Sequence, residues 1–364
     1  MQVESGTRQR WQAQAPELLT AIEGEGADCH MRRDAQSGYC VKFDKGLCGI
    51  HKQYGADYLS DACYLYPRVT RTLGEHTLMS ATLSCPEIAR LALYGPENGL
   101  ALKTGEFARL PQEIKDYLPT ELTPDQALAV HRAFVDSAAL QNASAESLLS
   151  TIITVAFAFT RLPVASWPEA VEFYIAQAQK NQAATQPVPE DPFNVLHALA
   201  GLIVATRTPL AERISAILNT MQQALGATLT WETMQIGLAE DSAQRYEAMC
   251  AAWKTQYAAL YNPLLARWLR FQLAASLFPF SGLGATPAER IIILTVRFVT
   301  LRLSLMCECA VHGQASPEII VRNAQSLARI LDHIGDPAFS LNIYTETGWI
   351  QERRLQALLS LGQK

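Results

Sequence analysis

The residues best suited to do chemistry in this 364-residue sequence are its eight cysteines, and they are unevenly placed. Cys29, Cys40, Cys48, Cys63 and Cys85 fall in the first quarter; Cys250, Cys307 and Cys309 lie far downstream. Cys40, Cys48, Cys63 and Cys85 are separated by 7, 14 and 21 residues. No CxxC pair occurs, so the spacing is not that of a zinc ribbon or finger. Four thiolates on loops nevertheless suit a tetrahedral zinc ion or a 4Fe–4S cluster. Gly46-Leu47-Cys48 sets one thiol beside a turn, and Cys63 precedes Tyr66-Pro67-Arg68, a rigid turn. Cys85-Pro86 stands where a strand gives way to a helix, whose free N–H groups and dipole favour a thiolate. The competing account is that free cysteines are small buried hydrophobes. That account is weaker for four thiols in a segment with little apolar core of its own. Cys40, Cys48, Cys63 and Cys85 are therefore the expected metal ligands.

The other cysteines read differently. Cys29 lies in the polar run GADCHMRRD, as an accessory ligand or an exposed thiol. Cys307 and Cys309 are two apart in a helical pattern and so point about 200° apart around the axis, which prevents easy chelation of one ion. Core packing is the account for them and for Cys250.

The elements that must position these groups divide into two kinds. Residues 24–86 are rich in Gly, Tyr, Asp and Cys, without a long apolar period. Val69–Leu73 and Thr77–Leu83, around Gly74-Glu75-His76, predict a short hairpin. Helix resumes at Pro86 and stops at Gly95-Pro96. From about residue 120 the pattern is helical almost throughout. Helix starts are written by Thr123-Pro124, by Ser166 with Glu169, by Thr286-Pro287 with Glu289, and by Ser316-Pro317, each offering a side-chain acceptor to free N–H groups. Residues 181–192 (NQAATQPVPEDP) read as a linker or long loop, and Phe278–Gly284 as another break. The expected fold is mainly α: a multi-helix bundle headed by a small cysteine-rich, loop and hairpin module. The module spans residues 1–95 and the helical domain 96–364.

Composition narrows the function. Net charge is −5 and pI about 5.9, which disfavours broad nucleic-acid binding. Residues 1–26 contain no apolar signal core. The most apolar run, Leu148–Thr160, is shorter than the roughly 20 apolar residues that span a bilayer. A cytoplasmic protein without membrane or nucleic-acid partners is expected, and in that compartment thiols stay reduced.

The segment YCVKFDKGLCGIHKQYGADYLSDACYLYPRV, followed by LSCPEIARLAL, resembles the cysteine module of the flagellin lysine N-methylases. The matching elements are Cys40, Leu47-Cys48-Gly49-Ile50, Gly55 to Arg68, and Ser84-Cys85-Pro86-Glu87. Leu277-Phe278-Pro279-Phe280 and SLARILDH at Ser326–His333 extend the likeness downstream. It is strong over 39–95 and looser over 250–364. Family members carry a further cysteine group ending in a Cys-Cys pair, which would align just before Met1. The resemblance thus implies that these four thiols are part of a larger ligand set.

It also implies an S-adenosylmethionine-dependent protein-lysine N-methyltransferase acting on flagellin, with zinc or a 4Fe–4S cluster on its cysteines. No Gly-rich strand-turn-helix loop and no CxxxCxxC radical motif is present. Methyl transfer needs a neutral amine, whereas lysine has a pKa of about 10.4. A desolvated channel and a proton acceptor are therefore required. Tyr54, Asp61, Tyr66 and His51 are the candidates near the module, with Arg68 to pair a carboxylate of cofactor or substrate. Packing or hydrogen bonding around the sulfurs is the alternative for each. Arg329 and His333 share a helix face and read as a structural pair. Two other functions stand beside methyl transfer: a non-catalytic metal-binding module for protein interaction, and a redox sensor.

Overall fold

The computed structural model describes the chain except for residues 46, 104, 108, 112, 139–143, 182–192, 196–210, 231, 232, 234, 332–336 and 361–364. The expected linker at 182–192 and His333 lie outside the described residues. Asn181 ends a helix. The chain divides into two compact units, residues 1–70 with 105–115, and residues 71–104 with 116–364.

The first unit is built from short pieces. Helix α1 (Ser5–Gln14) is followed by two-residue antiparallel pairs, β1 (Ile22–Glu23) with β2 (His30–Met31) and β3 (Phe43–Asp44) with β4 (Leu47–Cys48). Helices α2 (Gly49–Tyr54) and α3 (Asp61–Leu65) follow. Strands this short are not stable alone and need a shared core. That core is Val3, Trp11, Leu18, Ala21, Cys29, Met31, Ile50 and Leu59 with Ala15. Trp11 is fully buried and its indole N–H donates to Tyr58 O at 2.9 Å, which satisfies the ring's polar end.

The chain enters the second unit along β5 (Arg68–Leu73), which pairs with β6 (His76–Ala81). The expected hairpin is there. Gly74 turns it with φ of +60°, and a Cβ at that point would sit 2.8 Å from the Pro124 ring, so glycine is required twice over. The rest is mainly helical: α4 (Pro86–Tyr94), α5 (Pro124–Ser137), α6 (Ala145–Arg161), α7 (Trp167–Asn181) and α8 (Ala211–Leu225). A small pair, β7 (Ala227–Thr230) and β8 (Gln235–Leu238), leads to α9 (Ser242–Ala252) and α10 (Ala258–Ala275). Then come α11 (Pro287–His312), α12 (Pro317–Leu331), α13 (Pro337–Glu346) and α14 (Glu352–Leu358).

The sequence signals for helix starts can be checked atom by atom. Thr123 Oγ1 accepts from Gln126 N (3.3 Å) while Gln126 Oε1 accepts from Thr123 N (2.9 Å). Thr286 and Glu289 form the same reciprocal box. Ser316 Oγ accepts from Ile319 N at 3.4 Å. Ser166 differs: its hydroxyl donates backwards to Pro163 O at 2.7 Å, inside a short 3₁₀ turn.

Helix α11 is buried all round and packs against α6, α8, α12 and α14. A buried helix with polar residues must satisfy each of them locally or across a contact. Thr295 and Thr300 donate to their own i−4 carbonyls, each at 2.7 Å. Arg302 pairs with Glu146 of α6 at 2.8 Å and donates to Leu359 O (3.1 Å) and Leu358 O (3.2 Å), closing the C-terminus of α14. The Phe278–Gly284 break is held from two sides: His131 Nδ1 meets Phe278 O at 2.8 Å, and Arg290 donates to Pro279, Gly284 and Ala285 carbonyls.

Two predictions follow from these buried groups. Arg302→Met leaves Glu146 as an uncompensated buried charge and should cost about 3–5 kcal/mol, most of it restored when Glu146→Leu is added; urea unfolding measures both. His131 is fully buried, and burial lowers its pKa below the ordinary 6.5 despite the bond to Phe278 O. The folded chain keeps it neutral while the unfolded chain takes up a proton. Its contribution is therefore complete above about pH 6.5 and lost as pH falls below it, at up to about 1.4 kcal/mol per pH unit. His131→Gln should flatten the acid limb of a stability–pH curve by that amount.

Candidate functional site

Three of the four expected ligands are gathered in the first unit. Cys40 is bridged to Arg33 and lies just before β3. Cys48 ends β4, faces Phe43 across the ribbon and stands at the N-terminus of α2. Gly49 follows because the chain passes close to Lys42, with Gly49 N donating to Lys42 O at 2.7 Å. A Cβ there would lie 3.0 Å from that carbonyl. Cys63 is the third residue of α3, with its N–H bonded to Ser60 Oγ at 3.3 Å. Glu4 completes the cap, accepting from Asp61 N at 3.0 Å. All three thiols pack half-buried against the small core.

They also share an electrostatic neighbourhood. Burial pushes the Cys63 thiol above its ordinary pKa; the Ser60 bond partly opposes this, and Cys48 and Cys40 push it further up. Burial thus favours the thiol over the thiolate at Cys63. Metal coordination would have to displace that proton.

Cys85, the fourth expected ligand, belongs to the second unit. It precedes α4, half-buried, with its carbonyl taking the Ala89 N–H at 3.0 Å. Its neighbour Ser84 is buried and its carbonyl accepts from Gln325 of α12 at 3.0 Å. Cys29 is neither exposed nor near the surface; it is a member of the first unit's core. Cys250, Cys307 and Cys309 are buried in the second.

Soft thiolate donors fit zinc or an iron–sulfur cluster by chemistry. Their arrangement does not yet form a cage: among the described residues, no group of three or more His, Cys, Asp or Glu side chains is disposed to hold a metal ion.

The acid–base candidates have defined partners. Tyr54 donates its hydroxyl to Glu17, a bond that raises the phenol's pKa and lowers the carboxyl's. Its ring leans on Tyr58 with centroids 5.4 Å apart. Asp61 is buried and paired with Arg109. Arg109 also donates to Leu59 O (3.2 Å) and lies 4.6 Å over the Tyr64 ring. Tyr66, Arg68 and His51 are exposed. Arg329 lies on α12.

Glu17 and Arg109 went unnoticed in the sequence. Glu17 stands 37 residues from Tyr54, and Arg109 48 residues from Asp61. Neither spacing carries a local signal.

The pair ties residues 105–115 into the first unit. Asp61→Ala leaves a largely buried guanidinium without its carboxylate and should lower stability by about 1–3 kcal/mol, read as a drop in thermal midpoint. Arg68→Ala, at an exposed position, should change that midpoint little.

Comparison with known proteins adds one match. The family model of the FliB lysine N-methylase C-terminal domain matches residues 163–343, roughly half of the chain. The matched span runs from the turn before α7 into α13 and lies wholly in the second unit. No curated protein and no solved structure matches the chain. No helix among the described residues is long and apolar enough to cross a membrane. By its C-terminal domain, the chain belongs to the flagellin lysine N-methylase family.

Proposed function

We propose that this chain transfers methyl groups from S-adenosylmethionine to the ε-amino groups of flagellin lysines. The observation that carries this reading is the match of residues 163–343 to the lysine N-methylase domain. In this reading the helical second unit supplies the methylase scaffold. The first unit supplies Cys40, Cys48 and Cys63 as thiolate ligands for zinc or a 4Fe–4S cluster. Such a centre, when bound, offers Lewis-acid or electron-transfer chemistry. Cys85, the fourth thiol of the expected ligand set, stands at the N-terminus of α4.

A lysine amine attacks only when neutral, so it must be desolvated and lose a proton. Cytoplasmic residence fits a protein substrate modified before export.

The test is incubation of purified flagellin with the full chain and S-adenosylmethionine, after reconstitution with zinc or with iron and sulfide. Intact-mass and peptide analysis should show methyl-sized mass gains on lysines that depend on the donor. Metal bound without any lysine gaining mass would favour the non-catalytic binding module. Metal content should fall in Cys40→Ser, Cys48→Ser and Cys63→Ser.

A further inference from the structure

Helices α5 and α7 pack against each other in the second unit and leave a groove of about 660 Å³ between them. That volume is within the usual range of binding clefts. Small residues make the room. Ala129 and Ala133 on α5 and Ala176 on α7 line it where longer side chains would close it. Leu128 and Ile175, both half-buried, complete an apolar floor. These positions recur at three- and four-residue steps, so each helix turns one stripe toward the groove.

The rim is acidic. Asp125 and Asp136 stand on α5 and Glu172 on α7, against one cation, Arg132, so the lining carries a net charge of −2. Asp125 and Asp136 are eleven residues apart, about three turns, and so share a helix face about 16 Å apart. His76 Nε2 already lies 2.7 Å from the Asp125 carboxylate. Asp136 and Glu172 are exposed, one on each wall.

An apolar floor under a carboxylate rim matches the two halves of a lysine side chain. The methylene stem covers apolar surface while the ammonium stays at the wet edge. A neutral apolar ligand leaves the rim charges unused, and an anion is repelled by them. Carboxylates also favour the charged form of a lysine. A lysine held in this groove stays protonated and is not the attacking amine. The groove therefore suits recognition of lysines neighbouring the one that reacts.

We propose that the α5–α7 groove docks a lysine-bearing segment of the protein substrate, flagellin, and holds those lysines without methylating them. This rests on the methylase reading, which supplies a substrate that presents lysines. The probe is purified flagellin, native or with its lysines acetylated, binding to the full chain. Asp136→Lys with Glu172→Lys should weaken binding of native flagellin about tenfold or more, and Arg132→Ala should strengthen it. Ala176→Trp should weaken it by filling the groove at unchanged charge. Acetylation removes the lysine charges and should weaken binding to the wild-type chain. In methylation assays the double reversal should raise KM about tenfold and leave kcat near its wild-type value. Glu240→Lys with Glu247→Lys makes the same charge change at exposed positions outside the groove lining and should bind as wild type. All the substituted side chains are exposed, so thermal midpoints should stay unchanged.

Groove variants that bind native flagellin like wild type overturn the proposal. So does an equal loss in the control pair, which assigns the effect to overall charge, and so does undiminished binding of acetylated flagellin. A wild-type chain that does not bind flagellin overturns it as well. The two readings fail separately. Groove-dependent binding without lysine methylation removes the methylase reading alone. Methylation by groove variants at unchanged KM removes the groove alone.

Discussion

Helix α11 is the constraint on which the second unit depends. It is buried on every side, so its neighbours are arranged around what it presents. Apolar residues fill most of its surface, and burial of that area is the main favourable term. The exceptions shape the architecture. Arg302 cannot enter such a core without a carboxylate, and Glu146 on α6 provides it. The guanidinium's Nη1 and Nη2 also donate to the carbonyls at the end of α14. One side chain thus ties three helices that lie far apart in sequence. Such pairs add less stability than specificity of arrangement, and here they set which helix ends meet.

The first unit follows a different logic. Its strands are two residues long and its helices short, so local structure contributes little. Trp11 and its few apolar neighbours supply the core, and caps such as Ser60 and Glu4 at α3 fix the remaining backbone. The thiols occupy the half-buried rim of this core. They are close enough to influence one another, as the pKa of Cys63 shows, yet they do not form a closed ligand set. A small core with a thiol rim could tighten around a metal, because few packed contacts oppose the movement.

Much of this was readable from residue order. The Thr-Pro helix starts at Thr123 and Thr286, the hairpin around Gly74 and the break at Phe278 rest on local chemistry, which a sequence displays directly. The mainly α class followed from apolar periodicity, and family membership from motifs. Long-range pairs were not readable. Arg302 sits mid-helix in LRLSLMCECA, and its partner Glu146 lies 156 residues earlier. Asp61, a proton-acceptor candidate, pairs with Arg109, 48 residues away. Cys85, expected among the ligands, lies in the second unit, a boundary that residue order does not display. Cys29 lies in a polar run yet is buried, since its side chain and that of Met31 turn into the small core.

The central claim is that thiols of the first unit serve a methylase activity of the second. The most direct measurement is transfer of isotope-labelled methyl from S-adenosylmethionine to flagellin lysines. Wild-type chain and the Cys40→Ser, Cys48→Ser, Cys63→Ser triple variant are compared after identical metal reconstitution. The account predicts labelled methyl-lysine with wild type and its loss in a triple variant that remains folded. Equal labelling by the two proteins would contradict it.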